Sequence, residues 1–355
     1  MNGRSAATSL LLASALVMGL RSAVQAQAGG VPGSAAHGQA TDAPSRPVEG
    51  EDFRVFDAAG RPSSFAEVLD ALGVADVVLV GEEHDDVVGH RFQAELLVAA
   101  YRRLQGEGAR DIVLSLEMFE RDVQYILDEY LEGVISEAHF LSSSRPWDGY
   151  EHRYRPLVEF AKGHGLPIVA ANAPRRYVNR VAREGPESLG ALSELARSFL
   201  PPLPYPGPSV EYRAQWDALM AEAMGGPADE DDAAADEDED VVETGDDPPP
   251  QHSMMSPNVI YSQALWDAAM GHAVTSALGR NPGSLVVHMA GSFHVERGTG
   301  IPERVAGYRP GTRVVAVVMV SAEDISAWQD EEHEGLGDFV VLTKTSEDVA
   351  DRAGN

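Results

Sequence analysis

Histidine and carboxylate side chains follow two apolar runs of this sequence, at the point where each run ends. Gly81-Glu-Glu-His84 follows the run Val77–Val80, and Gly291-Ser-Phe-His294 follows the run Ser284–Ala290. Imidazoles and carboxylates in such places can bind a metal ion, contact iron or transfer protons near neutral pH. Loops are polar in general, but this does not explain why the same Gly-x-x-His tetrad occurs twice. The two tetrads therefore indicate a functional site.

Two further apolar runs end in residues of useful chemistry. Glu117 follows the run Asp111–Leu116, and Asn172 and Arg175 follow the run Leu166–Ala171. Short β-branched runs of this kind are typical of buried strands in a parallel sheet, whose carboxyl ends share one edge and border the ligand-binding crevice. The residues expected to converge there are His84, Glu117, Asn172, Arg175 and His294.

The carboxylate, amide and guanidinium candidates can each be interpreted in more detail. Glu82 and Glu83 would point to opposite faces of a continuing strand, so only one of them is expected in the crevice. Glu117 could instead cap a following helix. Asn172 could orient a ligand by hydrogen bonds or form an ordinary turn. Arg175 could receive an anionic group such as a propionate.

The remaining histidines and motifs are weaker candidates for a functional site. His288 lies inside an apolar strand and is interpreted as a core histidine, whereas His90 and His272 lie on predicted helices and are interpreted as packing or surface residues. The glycine-rich turn Arg297–Pro302 could receive an anion. The sequence lacks the His-Glu-x-x-His zinc helix and the Gly-x4-Gly-Lys-Ser/Thr phosphate loop, which disfavours those two chemistries.

Alternating strand and helix patterns must position these residues. They predict an α/β fold over residues 51–345, with a mostly parallel β-sheet and flanking helices. The predicted elements besides the runs above are the strand Phe53–Asp57, the helix from Ser64 to Gly73, the helices Val88–Leu104 and Val259–Leu278, the strand Arg313–Val320 and the edge-like strand Asp338–Thr343. The helical excursions 121–165 and 177–224 are expected to form a smaller helical subdomain.

The amino-terminal residues have the plan of a secretory signal. Arg4 precedes an apolar core from Ala6 to Leu20, and Ala26-Gln-Ala28 fits a cleavage site. Residues 1–28 are therefore predicted to be a signal peptide, 29–50 a flexible tether and 346–355 a tail. We expect an exported protein, periplasmic or secreted. Because the sequence has no cysteine, disulfides, thiolate ligands and lipid attachment at cysteine are excluded.

The charge of the chain is strongly negative and unevenly distributed. The 355 residues carry a formal net charge of −29, and the stretch from Gly225 to Pro250 contributes 12 acids and no base. Residues 225–257 are therefore predicted to be an acidic, disordered surface insertion, with weak binding of divalent ions as an alternative. No basic stripe is present, which argues against a nucleic-acid partner.

Five segments of the sequence resemble the ChaN family. They occur in matching order and are Gly81-Glu-Glu-His-Asp85, Ser115-Leu-Glu-Met-Phe-Glu-Arg121, Ala170-Ala-Asn-Ala-Pro-Arg175, Gln263-Ala-Leu-Trp-Asp-Ala-Ala-Met270 and Ala290-Gly-Ser-Phe-His-Val-Glu-Arg-Gly-Thr-Gly-Ile-Pro302. The wider superfamily includes Tiki and TraB proteins and erythromycin esterases, and its shared feature is the pair of Gly-x-x-His tetrads. Here these tetrads end at His84 and His294.

The resemblance implies a haem-binding, iron-regulated exported protein with a parallel sheet and a smaller helical domain. It implies haem as the cofactor, bound between two subunits, and a tyrosine as the iron ligand. The tyrosines in the helical excursions that could fill this role are Tyr150, Tyr154, Tyr205 and Tyr212. The chain departs from the family pattern in its acidic insertion and in having no cysteine for a lipoprotein anchor.

Two functions follow as expectations. The first is haem binding in haem or iron uptake, with haem as ligand, a possible homodimer and a membrane uptake system as partner. The alternative is a metal-dependent hydrolase or peptidase of the Tiki-like type. In that alternative His84 and His294 bind a divalent metal ion, or these histidines act with Glu82, Glu83 and Glu117 as acid and base.

Overall fold

The computed structural model describes residues 46–105, 109–225 and 256–345. The predicted signal peptide 1–28, most of the tether 29–50, most of the acidic insertion 225–257 and the tail 346–355 lie outside the described residues. Those assignments therefore stay predictions. None of the described helices is both long enough and apolar enough to cross a membrane.

One sheet organises the described chain. Its eight strands are β1 (Phe53–Asp57), β2 (Pro62–Ser63), β3 (Val77–Glu82), β4 (Ile112–Glu120), β5 (Ile168–Asn172), β6 (Leu285–Gly291), β7 (Val314–Ala322) and β8 (Phe339–Lys344). They lie in the order β2-β1-β8-β7-β3-β6-β4-β5. The strands from β8 to β5 run parallel, and β1 pairs antiparallel with both β8 and β2. The predicted α/β class and mostly parallel sheet are confirmed.

Helices connect the strands and cover both faces of the sheet. They are α1 (Phe65–Val74), α2 (Val87–Leu104), α3 (Gln124–Leu131), α4 (Glu137–Ser144), α5 (Tyr150–Arg153), α6 (Arg155–His164), α7 (Arg175–Glu184), α8 (Glu194–Ser198), α9 (Val210–Gly225), α10 (Val259–Arg280), α11 (Ile301–Tyr308) and α12 (Asp330–His333). Shorter 3-10 turns cover Arg121–Val123, Pro186–Ala191, Ser292–His294 and Glu296–Gly298.

Apolar clusters on the two faces hold the layers together. On one face, α1, α2 and the helices α3 to α6 pack with the sheet, and Leu96, Leu114 and Leu157 are among the buried residues. On the other face, α10 and α11 contribute Val274 and Val305. Because both faces are covered, every residue of β3 is buried. This explains why its sequence is continuously apolar rather than alternating.

The two helical excursions pack into different clusters. Helices α3 to α6 join the cluster that contains α2, where the rings of Tyr130 and Phe140 stack with centroids 4.5 Å apart. Helix α7 and the turn after it pack against α10 in a separate cluster. An ion pair of 2.5 Å between Arg176 Nη1 and Asp122 Oδ2 joins the excursions.

Two element boundaries and the position of one strand in the sheet differ from the sequence prediction. Helix α1 continues through Gly73, and the Ala75 amide closes its last turn. Strand β4 continues to Glu120, so Glu117 lies within the strand and does not cap a helix. The segment Asp338–Thr343 was predicted as an edge strand, but β8 lies inside the sheet because β1 pairs along its outer side.

Strand β5 lies at one edge of the sheet, and the Gln124 side chain covers the backbone at this edge. Gln124 Nε2 donates to the Ile168 carbonyl at 2.8 Å, and Gln124 Oε1 accepts from the Ala170 amide at 2.7 Å. The amide group of Gln124 thus makes the hydrogen bonds to β5 that a further strand would make. Such covering prevents an edge from pairing with another chain.

Candidate functional site

Three adjacent strands end at the same edge of the sheet and carry the histidines and carboxylates. Strand β6 lies between β3 and β4, and Glu82 of β3 is in register with Gly291 of β6. Glu117 lies on β4, while His84 and His294 follow β3 and β6. We call the region formed by these side chains the crevice. The convergence that the sequence predicts for His84, Glu117 and His294 is present in the structure.

One half of the crevice is built around Glu82. This carboxylate is 2% exposed. It accepts hydrogen bonds from Tyr154 Oη at 2.8 Å and from Gln93 Nε2 at 2.5 Å. His84 Nδ1 lies 3.0 Å from Glu82 Oε1, on a side chain that is 51% exposed. The exposed imidazole is therefore attached to a buried, multiply bonded carboxylate.

A second histidine supports this half from α2. His90 Nε2 donates to the backbone carbonyl of His84 at 2.9 Å, and His90 Nδ1 lies 3.3 Å from Gln93 Oε1. The same Nδ1 lies 3.7 Å from Glu82 Oε2. His90 is buried, as a packing residue would be, and its ring nitrogens also contact the His84 carbonyl and Gln93. It holds the His84 backbone and Gln93 in place.

The other half is built around His294. His294 Nδ1 lies 2.7 Å from Asp267 Oδ1, and its Nε2 lies 3.7 Å from Glu117 Oε1. All three side chains are buried. Gly300 permits this packing, because a Cβ at that position would lie 2.7 Å from the His294 carbonyl oxygen and 3.0 Å from Asp267 Oδ1.

The two halves meet at Gly291. Its backbone amide donates to Glu117 Oε2 at 2.7 Å. A Cβ on Gly291 would lie 3.2 Å from His84 Cε1 and 3.4 Å from His84 Nε2. Absence of a side chain therefore lets the His84 ring lie against the end of β6, close to Glu117.

Burial and neighbouring charges shift the pKa values of the ionisable side chains in the crevice. Burial disfavours the ionised form of Glu82, but the hydrogen bond from His84 and the charge of His90 lower the pKa of this carboxyl. Desolvation opposes the cationic form of His84, but Glu82 and Glu117 raise the pKa of its ring. Burial likewise opposes the cationic form of His294, yet the negative charges of Asp267 and Glu117 raise its pKa to about 9.

Aromatic rings surround both histidines. The Trp147 ring meets the His84 ring edge to face with centroids 5.1 Å apart. Trp266 and Phe293 lie 6.2 Å and 5.7 Å from the His294 ring. These three aromatic side chains are partly exposed. The crevice thus combines imidazole and carboxylate groups with aromatic surface.

Two predicted site residues, Glu83 and Asn172, have other contacts. Glu83 points away from Glu82, as the strand geometry predicts, and its Oε1 accepts from the Ser321 amide of β7 at 3.1 Å. Buried Asn172 accepts from the next amide, that of Ala173, at 2.9 Å. These contacts do not connect either residue to the crevice.

Arg175 begins α7 at the same edge of the sheet. Its backbone amide donates to Glu120 Oε1 at 3.0 Å. Its guanidinium, which is partly exposed, has no hydrogen bond or ion pair within the described part of the chain. The structure leaves this cation available to an anionic group.

The four candidate tyrosines are all buried, with exposed fractions of 6% for Tyr150, 0% for Tyr154, 8% for Tyr205 and 0% for Tyr212. Tyr154 donates to Glu82 inside the crevice, and Tyr205 donates to the Tyr261 carbonyl at 2.7 Å. Burial and the charge of Glu82 raise the pKa of Tyr154. Its hydroxyl is therefore held protonated.

The divalent-metal alternative receives no support from the arrangement of ligands. Among the residues that the structure describes, no group of three or more histidine and carboxylate side chains is placed to hold a metal ion. In each pair the carboxylate contacts the Nδ1 atom of its imidazole. Glu82 holds His84, and Asp267 holds His294.

Sequence reasoning did not assign Gln93, His90 and Asp267 to the site. Gln93 and His90 lie on α2, and their spacing of three residues places them on one helix face. Asp267 shares a face of α10 with Gln263 and Trp266 by the same periodicity. A buried polar side chain on an otherwise apolar helix face was the signal that could have identified these residues.

Comparisons with known proteins identify the family and the fold of the chain. Residues 68–305 match the family model described as haem-binding uptake, Tiki superfamily, ChaN. The structure of ChaN of Campylobacter jejuni, which shows cofacial haem binding to that protein, is similar with a TM-score of 0.57 and 18% identity over 84% of this chain and 100% of that chain. An erythromycin esterase in its open conformation has a TM-score of 0.39 and 13% identity over 85% of this chain and 86% of that chain.

A plant protein matches a shorter part of the sequence. The chloroplastic protein RETICULATA-RELATED 5 of Arabidopsis thaliana is 26% identical over 157 residues, which are 42% of this chain and 21% of the plant protein. The Campylobacter likeness shows a shared fold, and the family model covers more than half of the chain. The chain belongs to the ChaN family of haem-binding uptake proteins, within the Tiki superfamily.

Proposed function

We propose that this protein binds haem at the crevice, with His84 as the residue that faces the iron. One observation carries the proposal. The exposed His84 ring is attached through Nδ1 to the buried carboxylate of Glu82, 3.0 Å away. Iron-binding histidines commonly donate their second ring N–H to a carboxylate, which fixes the tautomer and makes the ligating nitrogen more basic.

Haem binding at His84 uses the neutral ring, so iron competes with the proton that Glu82 and Glu117 favour by raising the pKa of His84. With the hydrogen on Nδ1 shared with Glu82, the lone pair of Nε2 is directed away from that carboxylate. Neutral imidazole is among the residues that hold haem iron. The four candidate tyrosines are buried, and tyrosinate ligation would require a proton to leave a hydroxyl such as that of Tyr154, whose pKa is raised.

The rest of the crevice suits a flat, apolar group with acidic edges. The partly exposed rings of Trp147, Trp266 and Phe293 can pack against a porphyrin face. Arg175, which has no partner within the described residues, can bind a propionate. Haem bound here would supply the iron that the protein carries, and the protein would supply the iron ligand and the apolar walls.

The proposal extends to biological role. We propose that the chain is exported, because residues 1–28 have the plan of a secretory signal, and that it passes haem to a membrane uptake system. Binding of haem between two copies of the chain is part of the same proposal. It is supported by the cofacial haem binding reported for ChaN of Campylobacter jejuni.

A haemin titration tests the proposal. We expect saturable binding at micromolar haemin, followed by the shift of the Soret band, and dimerisation in sedimentation velocity. His84→Ala should weaken binding at least about tenfold, which is about 1.4 kcal/mol, because the proposed contact of the His84 ring with iron is lost. His164→Ala removes an exposed histidine of α6 and should leave binding unchanged. Equal binding by both variants would exclude the crevice.

A second candidate function is metal-free hydrolysis. Two histidine–carboxylate pairs, His84 with Glu82 and His294 with Asp267, face Glu117 at one crevice, and such pairs can act as general bases. Turnover of an ester such as p-nitrophenyl acetate that survives EDTA and is lost in Glu117→Gln and His84→Ala would favour this candidate. Absence of turnover in the unmodified protein would dismiss it.

A further inference from the structure

A second concave site lies on the sheet face covered by α10, apart from the crevice. It is a cavity of about 370 Å³ between the edge strand β5, helix α3 and the carboxyl-terminal half of α10. Its polar lining includes Arg121, Gln124, Asp128, Ser198, Ser276 and Arg280. None of these residues contributes to the crevice. We call this site the arginine cavity.

The arginine cavity is lined by two guanidinium groups, those of Arg121 and Arg280, and by one carboxylate, that of Asp128. Within the described residues, neither Arg121 nor Arg280 forms an ion pair with a carboxylate. Arg121 Nη1 instead contacts His272 Nδ1 at 3.3 Å, and that partner is an imidazole. The carboxylate of Asp128 accepts a hydrogen bond from Gln124 Nε2 at 2.9 Å.

The pKa values of Arg121 and His272 are shifted by burial and by the nearby positive charges. Desolvation and the charge of Arg280 lower the pKa of Arg121 to about 10. Desolvation and the charges of Arg121 and Arg280 also lower the pKa of His272. Arg121 remains cationic at neutral pH, so a partly buried guanidinium, that of Arg121, and an exposed one, that of Arg280, line the same cavity. An anion placed between them would be stabilised by both.

We propose that the arginine cavity binds a small dianion, with one anionic oxygen group for each guanidinium. Carboxylate and phosphate oxygens both fit the planar fork of an arginine. The Ser276 hydroxyl and the Asn281 amide also line the cavity and can donate to the remaining oxygens. The volume matches that of sites for small organic molecules. The ligand is therefore a small dicarboxylate or an inorganic or organic phosphate.

Calorimetric titration of the full chain tests this site. Inorganic phosphate and succinate are the two probes, and succinamide is the neutral control for succinate. We expect saturable binding of at least one anion and none of succinamide. Arg121→Gln and Arg280→Gln should each weaken binding about tenfold or more, because each removes a charge-assisted contact. Preference for phosphate or for succinate distinguishes the two ligand classes.

Arg54→Gln is the matched control, since it removes the same charge from β1 at the opposite side of the sheet. It should leave anion binding unchanged. Equal weakening in Arg54→Gln would show a general charge effect and overturn the proposal. So would the absence of saturable binding of either anion.

The pKa of His272 gives a readout that needs no substitution. Followed by proton NMR of its ring, this pKa should rise when the anion saturates the cavity, because the anion offsets the charges of Arg121 and Arg280. Sodium chloride at equal ionic strength should have a smaller effect. An unchanged His272 pKa at saturating phosphate and succinate would contradict binding between the two arginines.

Discussion

A carboxylate as deeply buried as Glu82 is stable only when hydrogen-bond donors replace the water that it has lost. Three side chains do this: His84, Gln93 and Tyr154. They come from the loop after β3, from α2 and from the segment between α5 and α6. One buried charge therefore organises side chains from three parts of the chain around the exposed His84 ring.

Removal of the Tyr154 hydroxyl should destabilise the fold. In Tyr154→Phe, Glu82 loses a donor at 2.8 Å, and we expect the free energy of unfolding to fall by about 1–3 kcal/mol. Tyr150→Phe is the matched control, because the buried Tyr150 hydroxyl has no hydrogen-bond partner among the described residues. That change should be neutral or slightly stabilising. Urea unfolding at pH 7 measures both, and equal losses would contradict the role given to Glu82.

His294 should make stability depend on alkaline pH. Burial opposes the cationic ring, but Asp267 and Glu117 raise the pKa of His294 from its ordinary value of 6.5 to about 9, so its stabilising contribution is fully present below about pH 6.5 and is lost as pH rises through 9. By linkage the loss amounts to up to about 3 kcal/mol. In Asp267→Asn we expect the His294 pKa to fall in an NMR titration and the unfolding free energy to vary less over this range. A His294 pKa that is unchanged in the variant would refute the assignment of Asp267 as its partner.

At the scale of elements, the site depends on the short distance between the carboxyl ends of β3 and β6. In Gly291→Ala the new methyl group would lie 3.2 Å from His84 Cε1. The half-exposed His84 ring can rotate away, so we expect a stability loss under about 1 kcal/mol together with weaker haemin binding. Gly163→Ala on α6 meets no atom within 4 Å and should leave haemin binding unchanged. Unimpaired binding by Gly291→Ala would show that the position of His84 does not matter.

At the amino-terminal ends of the parallel strands, one arginine connects several chain segments by hydrogen bonds. The guanidinium of Arg110 donates to four backbone carbonyl oxygens, those of Gly73, Ala75, Gly283 and Ser284, at 2.8–3.1 Å. It thereby connects the end of α1 to the turn between α10 and β6. Arg110→Met keeps the apolar stem but loses these bonds, and we expect a loss of about 1–3 kcal/mol in urea unfolding.

The control for this substitution lies eight positions earlier. Arg102 is exposed near the end of α2, and Arg102→Met should change the unfolding free energy by less than about 0.5 kcal/mol. If the two variants lose similar stability, the four carbonyl bonds of Arg110 contribute nothing beyond a surface charge.

Elements were more predictable from the sequence than contacts between them. The run Val77–Val80 predicted β3 because a strand covered on both faces is continuously apolar. The position of β8 was not predictable, since a strand's neighbours depend on chain topology rather than on its own residues. The roles of His90 and Gln93 depend on the approach of α2 to Glu82, and no local pattern encodes that distance.

At the scale of the whole molecule, a parallel sheet brings together residues that are distant in sequence. His84 and His294 both lie close to Glu117 because β3, β6 and β4 are neighbours with a common carboxyl edge. The sequence predicted this convergence from the ends of the apolar runs. It did not predict that the Asn172 side chain accepts from the Ala173 amide, because a strand end alone does not indicate the direction of a side chain.

The most direct test of the central claim is the identity of the iron ligand. Resonance Raman and electron paramagnetic resonance spectra of the ferric haem complex distinguish histidine from tyrosinate ligation. We predict a histidine-ligated spectrum that is retained in Tyr154→Phe and lost in His84→Ala. A tyrosinate signature in the unmodified protein, or the same histidine-ligated spectrum in His84→Ala, would contradict the assignment of His84 as the residue that faces the iron.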